Sequence, residues 1–107
     1  MKTIKYFIAI AALIISTVAF AATKTETIKI SGKCEMCKAR IEKAAKVEGV
    51  TKAIWSDKTK LLILVYDPAK VSSDNVQKSI AAVGHDTPKY KADAKVYNAL
   101  PGCCKYR

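Results

Sequence analysis

Few of the residue types that carry catalysis are present in the 107-residue chain. It has one histidine, four glycines and nine acidic residues against nineteen basic ones. No general acid–base pair, nucleophile triad, phosphate-cradling loop or nucleotide motif can be assembled from that stock, and nothing in the sequence calls for an enzyme. There is no internal repeat and no low-complexity segment. No apolar run after residue 22 is long enough to span a bilayer. The excess of positive charge would suit nucleic acid if it were clustered. The lysines are scattered, and the opening residues send the chain away from nucleic acid, so the charge reads as solubility and a general attraction to anionic surfaces.

Those opening residues have the layout of a secretory signal. Lys2 and Lys5 precede an apolar run over residues 6–22, broken only by Ser16 and Thr17, and the run ends in Ala19-Phe20-Ala21. A basic start, a short apolar middle and a small-x-small exit predict export with cleavage after Ala21. Membrane contact would come only through the uncleaved signal. No cysteine closely follows the run, so lipid attachment there is not expected. The remaining 22–107 amount to one small domain with a formal charge of +8,. A domain of that size has a thin core and often needs a staple.

Hydropathy patterning divides that domain. Residues 25–31 alternate, with Ile28 and Ile30 on one face, as a strand does. Residues 35–46 turn helical, Cys37, Ile41, Ala44 and Ala45 recurring at three and four, and Gly49 lies just past the end. Residues 50–55 form a second strand and 61–66 an unbroken apolar third, stopped by Asp67-Pro68. Ser72 or Ser73 caps a second helix with Val76, Ile80 and Val83 on its buried stripe, and Gly84 stops it. Residues 85–90 are expected as a short fourth strand at a sheet edge, because of Pro88. The order βαββαβ is that of the ferredoxin-like α+β sandwich, two helices on a four-stranded antiparallel sheet, over residues 22–91. Residues 92–107 are an extension with a short helix over 93–100. On the third strand, Leu61, Ile63 and Val65, joined by Ile54, face the side away from the helices. That strip is expected to be covered by Val96, Tyr97, Leu100 and Tyr106 of the extension.

Four cysteines remain, all after the signal. In an exported protein an even count first suggests disulfides. Cys34 and Cys37, however, stand three apart at the junction of the first strand and first helix, where both sulfurs can point to one spot. The free N–H groups and partial positive charge of a helix start lower a thiol pKa, and Lys33 and Lys38 act in the same direction. Two thiolates suit a soft ion, Cu(I) first, with Hg(II) or Zn(II) as alternatives. A disulfide or a redox-active dithiol stays open on spacing alone, so an exported thiol–disulfide oxidoreductase is the rival reading, and a disulfide-stapled docking domain a third. His85 follows the second helix, on a loop that the topology sets beside the cysteine loop. It is a candidate third ligand or proton-sensitive neighbour, as Met36 is a candidate neighbour. Cys103 and Cys104 are too close along the chain for an unstrained mutual disulfide, with Cα atoms ~3.8 Å apart against the ~4.4 Å where such bonds begin. They are candidate auxiliary ligands that would complete a four-sulfur site or bind a second ion, or else partners in a disulfide to the first pair or to another molecule.

Ser31-Gly32-Lys33-Cys34-Glu35-Met36-Cys37, Val47-Glu48-Gly49-Val50, Tyr66-Asp67-Pro68 and Ala82-Val83-Gly84-His85-Asp86 together resemble the heavy-metal-associated domain family over residues 25–91. The family includes copper chaperones, mercury-scavenging proteins and N-terminal modules of metal-pumping ATPases. The resemblance implies a solvent-accessible metal site on the loop before the first helix. It also implies exchange of the ion with a metal-transporting ATPase, efflux component or other metal-binding domain, and leaves room for a metal-bridged or disulfide dimer. The signal-like start implies a periplasmic or extracellular location after cleavage near Ala21. The family usually has Gly-Met where this chain has Ser31-Gly32, and that Met points into the core beneath the loop.

Overall fold

The computed structural model describes residues 22–107, and the expected signal peptide lies outside the described residues. Strand β1 (Lys24–Lys29) carries Ile28 inward and continues to Ile30, whose amide donates to the Lys60 carbonyl at 2.9 Å. β1 pairs antiparallel with β3 (Leu61–Tyr66), which pairs antiparallel with β2 (Val50–Trp55), giving the order β1-β3-β2. β3, flanked on both sides, is the most apolar strand, as a central position requires. Its period of two sends Leu62, Leu64 and Tyr66 into the core and leaves Leu61 and Ile63 exposed,. The β2–β3 hairpin closes through Ser56, whose hydroxyl accepts from the amides of Lys58 and Thr59, with Lys60 at φ +63°.

Helix α1 (Glu35–Ala45) buries Cys37, Ile41 and Ala45. Helix α2 (Ser73–Ala82) buries Val76, Gln77, Ile80 and Ala81. Ser72 is the cap of α2, its hydroxyl accepting from the Asn75 amide at 3.1 Å,. Both helices pack on the same sheet face, around Trp55, Ile30, Leu62 and Leu64.

Two expectations are corrected. Among the described residues there is no fourth strand. The segment 85–90 makes one strand-like bond, from the Ser31 amide to the Asp86 carbonyl at 3.0 Å, and then turns. The Thr87 amide bonds the Tyr90 carbonyl at 2.7 Å, the Thr87 hydroxyl takes the Tyr90 amide at 3.0 Å, and Pro88 between them has no N–H to give a ladder,. The turn closes on itself before a second rung can form.

The second correction concerns the extension. It does pack on the domain, as α3 (Ala94–Asn98) followed by a 3-10 turn (Gly102–Cys104). It does not cover the open sheet face: Ile54, Leu61 and Ile63 stay 41%, 37% and 44% exposed. Tyr97, Leu100 and Cys104 instead join the buried cluster of the core. The polar anchors dictate this. The Tyr106 hydroxyl donates to the Gly84 carbonyl at 2.7 Å and accepts from the Asp86 amide at 2.9 Å. The Arg107 guanidinium reaches Asp86 at 2.7 Å and the Ala92 carbonyl at 2.8 Å, and lies 4.4 Å over the Tyr97 ring. These partners all belong to the loop after α2 or to the extension itself.

Candidate metal centre

The site is built on the loop that joins β1 to α1. Gly32 presses against the indole of Trp55 so closely that a Cβ there would sit 2.9 Å from two of its ring carbons. Trp55 is fully buried, its Nε1 donating to the Ile30 carbonyl at 3.0 Å and its amide to Glu42 of α1 at 2.9 Å. The side chain missing at position 32, relative to the family pattern, is thus compensated by an indole rising from β2. Met36 does not take that place: it is 54% exposed.

From this fixed base the chain enters α1 with Cys34 as its cap residue, in extended conformation (φ −144°, ψ −178°). The Cys34 carbonyl accepts from the amides of Cys37 at 2.9 Å and Lys38 at 3.1 Å. This first turn brings the two sulfurs to 3.8 Å. Their environments differ. Cys34 is half-buried, and the amides of Cys37 and then of Met36, at the open helix end, hold its thiol down to about 7,. Cys37 is fully buried, and burial, followed by the Cys104 side chain, pushes its thiol up to about 11. The pair therefore presents one readily ionised thiol toward the surface and, beneath it, one that holds its proton until a cation supplies positive charge,.

The extension adds sulfur. Cys104 is fully buried with Sγ 3.9 Å from that of Cys34, and the sulfurs of Cys34, Cys37 and Cys104 all lie within 4.8 Å of one another. The Arg40 guanidinium donates to Cys104 Sγ at 3.4 Å. Cys103 turns the other way: it is exposed, 3.5 Å from the Met36 sulfur and 4.0 Å from the Cys104 sulfur. All four cysteines are free thiols.

His85 lies apart from this group of sulfurs. Its ring is fully buried, its Nδ1 bonds the Ser31 carbonyl at 2.8 Å, and it stacks on Tyr106 with ring centres 5.8 Å apart. Burial lowers its pKa, so it is the neutral imidazole that donates to Ser31,. It thus holds the loop at Ser31, three residues before Cys34. Arg40 and Trp55 went unnoticed in the sequence. Arg40 follows Cys37 by three, on one face of α1, a signal the sequence did contain. The contact between Trp55 and Gly32 had no local signal.

No family model matches the chain. Among curated proteins it is similar to the mercuric transport protein periplasmic component of Alcaligenes sp, 32% identical over 83 residues, 76% of this chain and 91% of that one. It is similar also to the same component from Serratia marcescens, 33% identical over 87 residues, 79% of this chain and 93% of that one. Among solved structures it is similar to the CopZ metallochaperone, with a TM-score of 0.58 and 27% identity over 60% of this chain and 98% of that one. Oxidized MerP from Ralstonia metallidurans CH34 gives a TM-score of 0.55 and 33% identity over 62% of this chain and 94% of that one. The water-soluble region of the P-type ATPase CopA from Bacillus subtilis gives 0.59 and 33%, over 64% of this chain and 46% of that one.

Proposed function

Because the chain belongs to the heavy-metal-associated domain family, we propose that it is an exported carrier that takes a soft cation between Cys34 and Cys37 and passes it on by sulfur-for-sulfur exchange. The observation that carries this reading is the thiol pair itself: two sulfurs 3.8 Å apart at a helix start, one held near pKa 7 and open to solvent. Thiolates select soft ions, and Cu(I) and Hg(II) both accept so few ligands, whereas a structural Zn(II) asks for four. Two thiolates neutralise Hg(II) and leave one negative charge on Cu(I), which the Arg40 guanidinium, within reach of the cluster, offsets. The curated relatives named above are mercuric transport proteins of the periplasm, and the solved neighbours include a metallochaperone and a P-type ATPase CopA, a variant of which was solved with copper. With the signal-like residues 2–22, they support a periplasmic carrier of Cu(I) or Hg(II) whose acceptor is a transporter or its metal-binding domain. No bond of the cargo is made or broken beyond those to sulfur, so the reading involves no enzyme turnover. Relatives of this kind give no support to a thiol–disulfide oxidoreductase.

The test is anaerobic competition titration of residues 22–107 with Cu(I) and with Hg(II), in the unaltered protein and in Cys34→Ser and Cys37→Ser. Tight binding of either ion that collapses in both variants is expected; unaltered affinity in the variants sinks the reading. Cys34→Ser is the cleaner substitution. Cys37 is part of the core, and a hydroxyl in its place costs about 1–3 kcal/mol if it finds no partner, so that variant needs its folding checked by circular dichroism.

A further inference from the structure

The extension brings a third sulfur to the pair on an anchored support, and we propose that Cys104 is a metal ligand, so that the ion sits among three sulfurs rather than in line between two. This rests on the reading of Cys34 and Cys37 as a soft-metal site and gives it a coordination number. The sulfur separations argue for it. With a metal–sulfur bond of about 2.3 Å, two sulfurs in line across one ion stand about 4.6 Å apart, three at 120° about 4.0 Å, and four at tetrahedral angles about 3.8 Å. Cys34 lies 3.8 Å from Cys37 and 3.9 Å from Cys104. Both spacings match a site of three or four sulfurs and fall short of an in-line pair. The fourth sulfur available, that of Cys103, is turned outward to Met36 and lies outside the group of three. The sulfurs that converge on one point are those of Cys34, Cys37 and Cys104.

The third ligand is also placed in advance. A free tail would pay its ordering cost on binding; this one is already held. Leu100 seats on Gly84, Tyr106 bonds the Gly84 carbonyl and the Asp86 amide, and Arg107 grips Asp86. Between these fixtures the 3-10 turn points Cys104 inward and Cys103 outward. Arg40 supplies a positive partner at 3.4 Å, which a third thiolate around a monovalent or divalent ion requires,. No electron moves in the binding step: each thiol gives its proton to water as its sulfur donates to the ion.

X-ray absorption on residues 22–107 loaded anaerobically with one equivalent of Hg(II), and separately of Cu(I), counts the sulfurs directly. Three are expected in the unaltered protein and two in Cys104→Ser and Cys104→Ala. The alanine variant keeps the buried position apolar, so the comparison survives if the serine perturbs folding. Competition titration is expected to show affinity lowered at least about 10-fold in both, since losing even a partner that only supports a ligand costs roughly 10–100-fold. Two sulfurs in the unaltered protein, with affinity unchanged in both variants, would overturn the third ligand while leaving the Cys34–Cys37 site standing. Failure of the unaltered protein to bind either ion would bring down both.

Discussion

Gly84→Ala should loosen the extension from the domain, and the structure allows the loss to be divided. Gly84 has φ +110°, a conformation that favours glycine, and a Cβ there would meet Leu100 at 2.9, 3.1 and 3.2 Å. The backbone contribution is about 1–3 kcal/mol. The overlap with Leu100 adds about 1–3 kcal/mol, as overpacking in a filled core does. Leu100→Ala alone, which empties a 7%-exposed position, costs about 2–5 kcal/mol,. In the double variant the new methyl meets no leucine, so the overlap disappears while the backbone strain and the lost burial remain. The double variant should therefore be less damaged than the sum of the singles by about 1–3 kcal/mol. Urea denaturation of residues 22–107, with midpoints compared at equal slope, measures this. In a domain of this size each kcal/mol corresponds to roughly 4–8 °C in melting temperature, so the effect stands well clear of error. Trypsin gives a local readout, since Lys95 and Lys105 should become cleavable in Gly84→Ala before the rest of the domain. Additivity within about 0.5 kcal/mol would show that Leu100 does not rest on Gly84, and the docking of the extension described here would fail with it.

Three further outcomes are expected. In the reduced, metal-free protein, alkylation of Cys34 should rise with a midpoint near pH 7, with about half the thiol ionised at that pH against about 3% for an ordinary cysteine,; a midpoint above 8 would refute the influence of the helix start. Asp86 is pushed up by burial, but the Arg107 guanidinium and the Ala92 amide outweigh this and hold it below the usual carboxylate range. Its contribution is thus fully present above the unfolded value of ~3.9 and lost as pH falls through the lower folded one; Asp86→Asn should abolish that acid-side loss, and identical acid melting curves for the two proteins would contradict it. Burial keeps His85 neutral, with the opposite charge logic and the same direction: stability should fall as pH drops below ~6.5, where the unfolded ring takes a proton that the folded one refuses,, and His85→Gln should flatten that slope in thermal melts.

The strands and helices that carry the site were legible because each is governed by a local pattern. The alternation around Ile28 and Ile30, the apolar run of β3 and the hydroxyl of Ser72 each speak for the segment in which they lie. Segment 85–90 misled because a short stretch after a helix invites completion of a familiar topology, whereas the decision belonged to the Thr87–Tyr90 bonds and the missing N–H of Pro88. The extension was half legible. Its apolar residues made docking an expectation that hung on an anchor, and the open strip at Ile54, Leu61 and Ile63 offered an obvious place. The actual berth was chosen by Asp86, Arg107 and the Tyr106 hydroxyl, whose pairing spans twenty residues and leaves no periodicity. For the same reason the sequence could name Cys103 and Cys104 but not tell them apart. In a 3-10 turn neighbouring side chains stand about 120° apart, so one faces the site while the other faces away.

Trp55 is the only tryptophan in the chain, and its indole lies directly under Gly32, two residues before Cys34. When excited beyond the absorption of its five tyrosines, the protein therefore emits from the floor of the candidate metal loop, free of any second indole that would dilute it. A heavy cation settling among the nearby sulfurs promotes spin–orbit coupling and quenches such an emitter, and a lighter one changes it through the loop backbone. Occupancy can thus be followed by light alone, in real time and without a label, including the moment at which an acceptor draws the ion away.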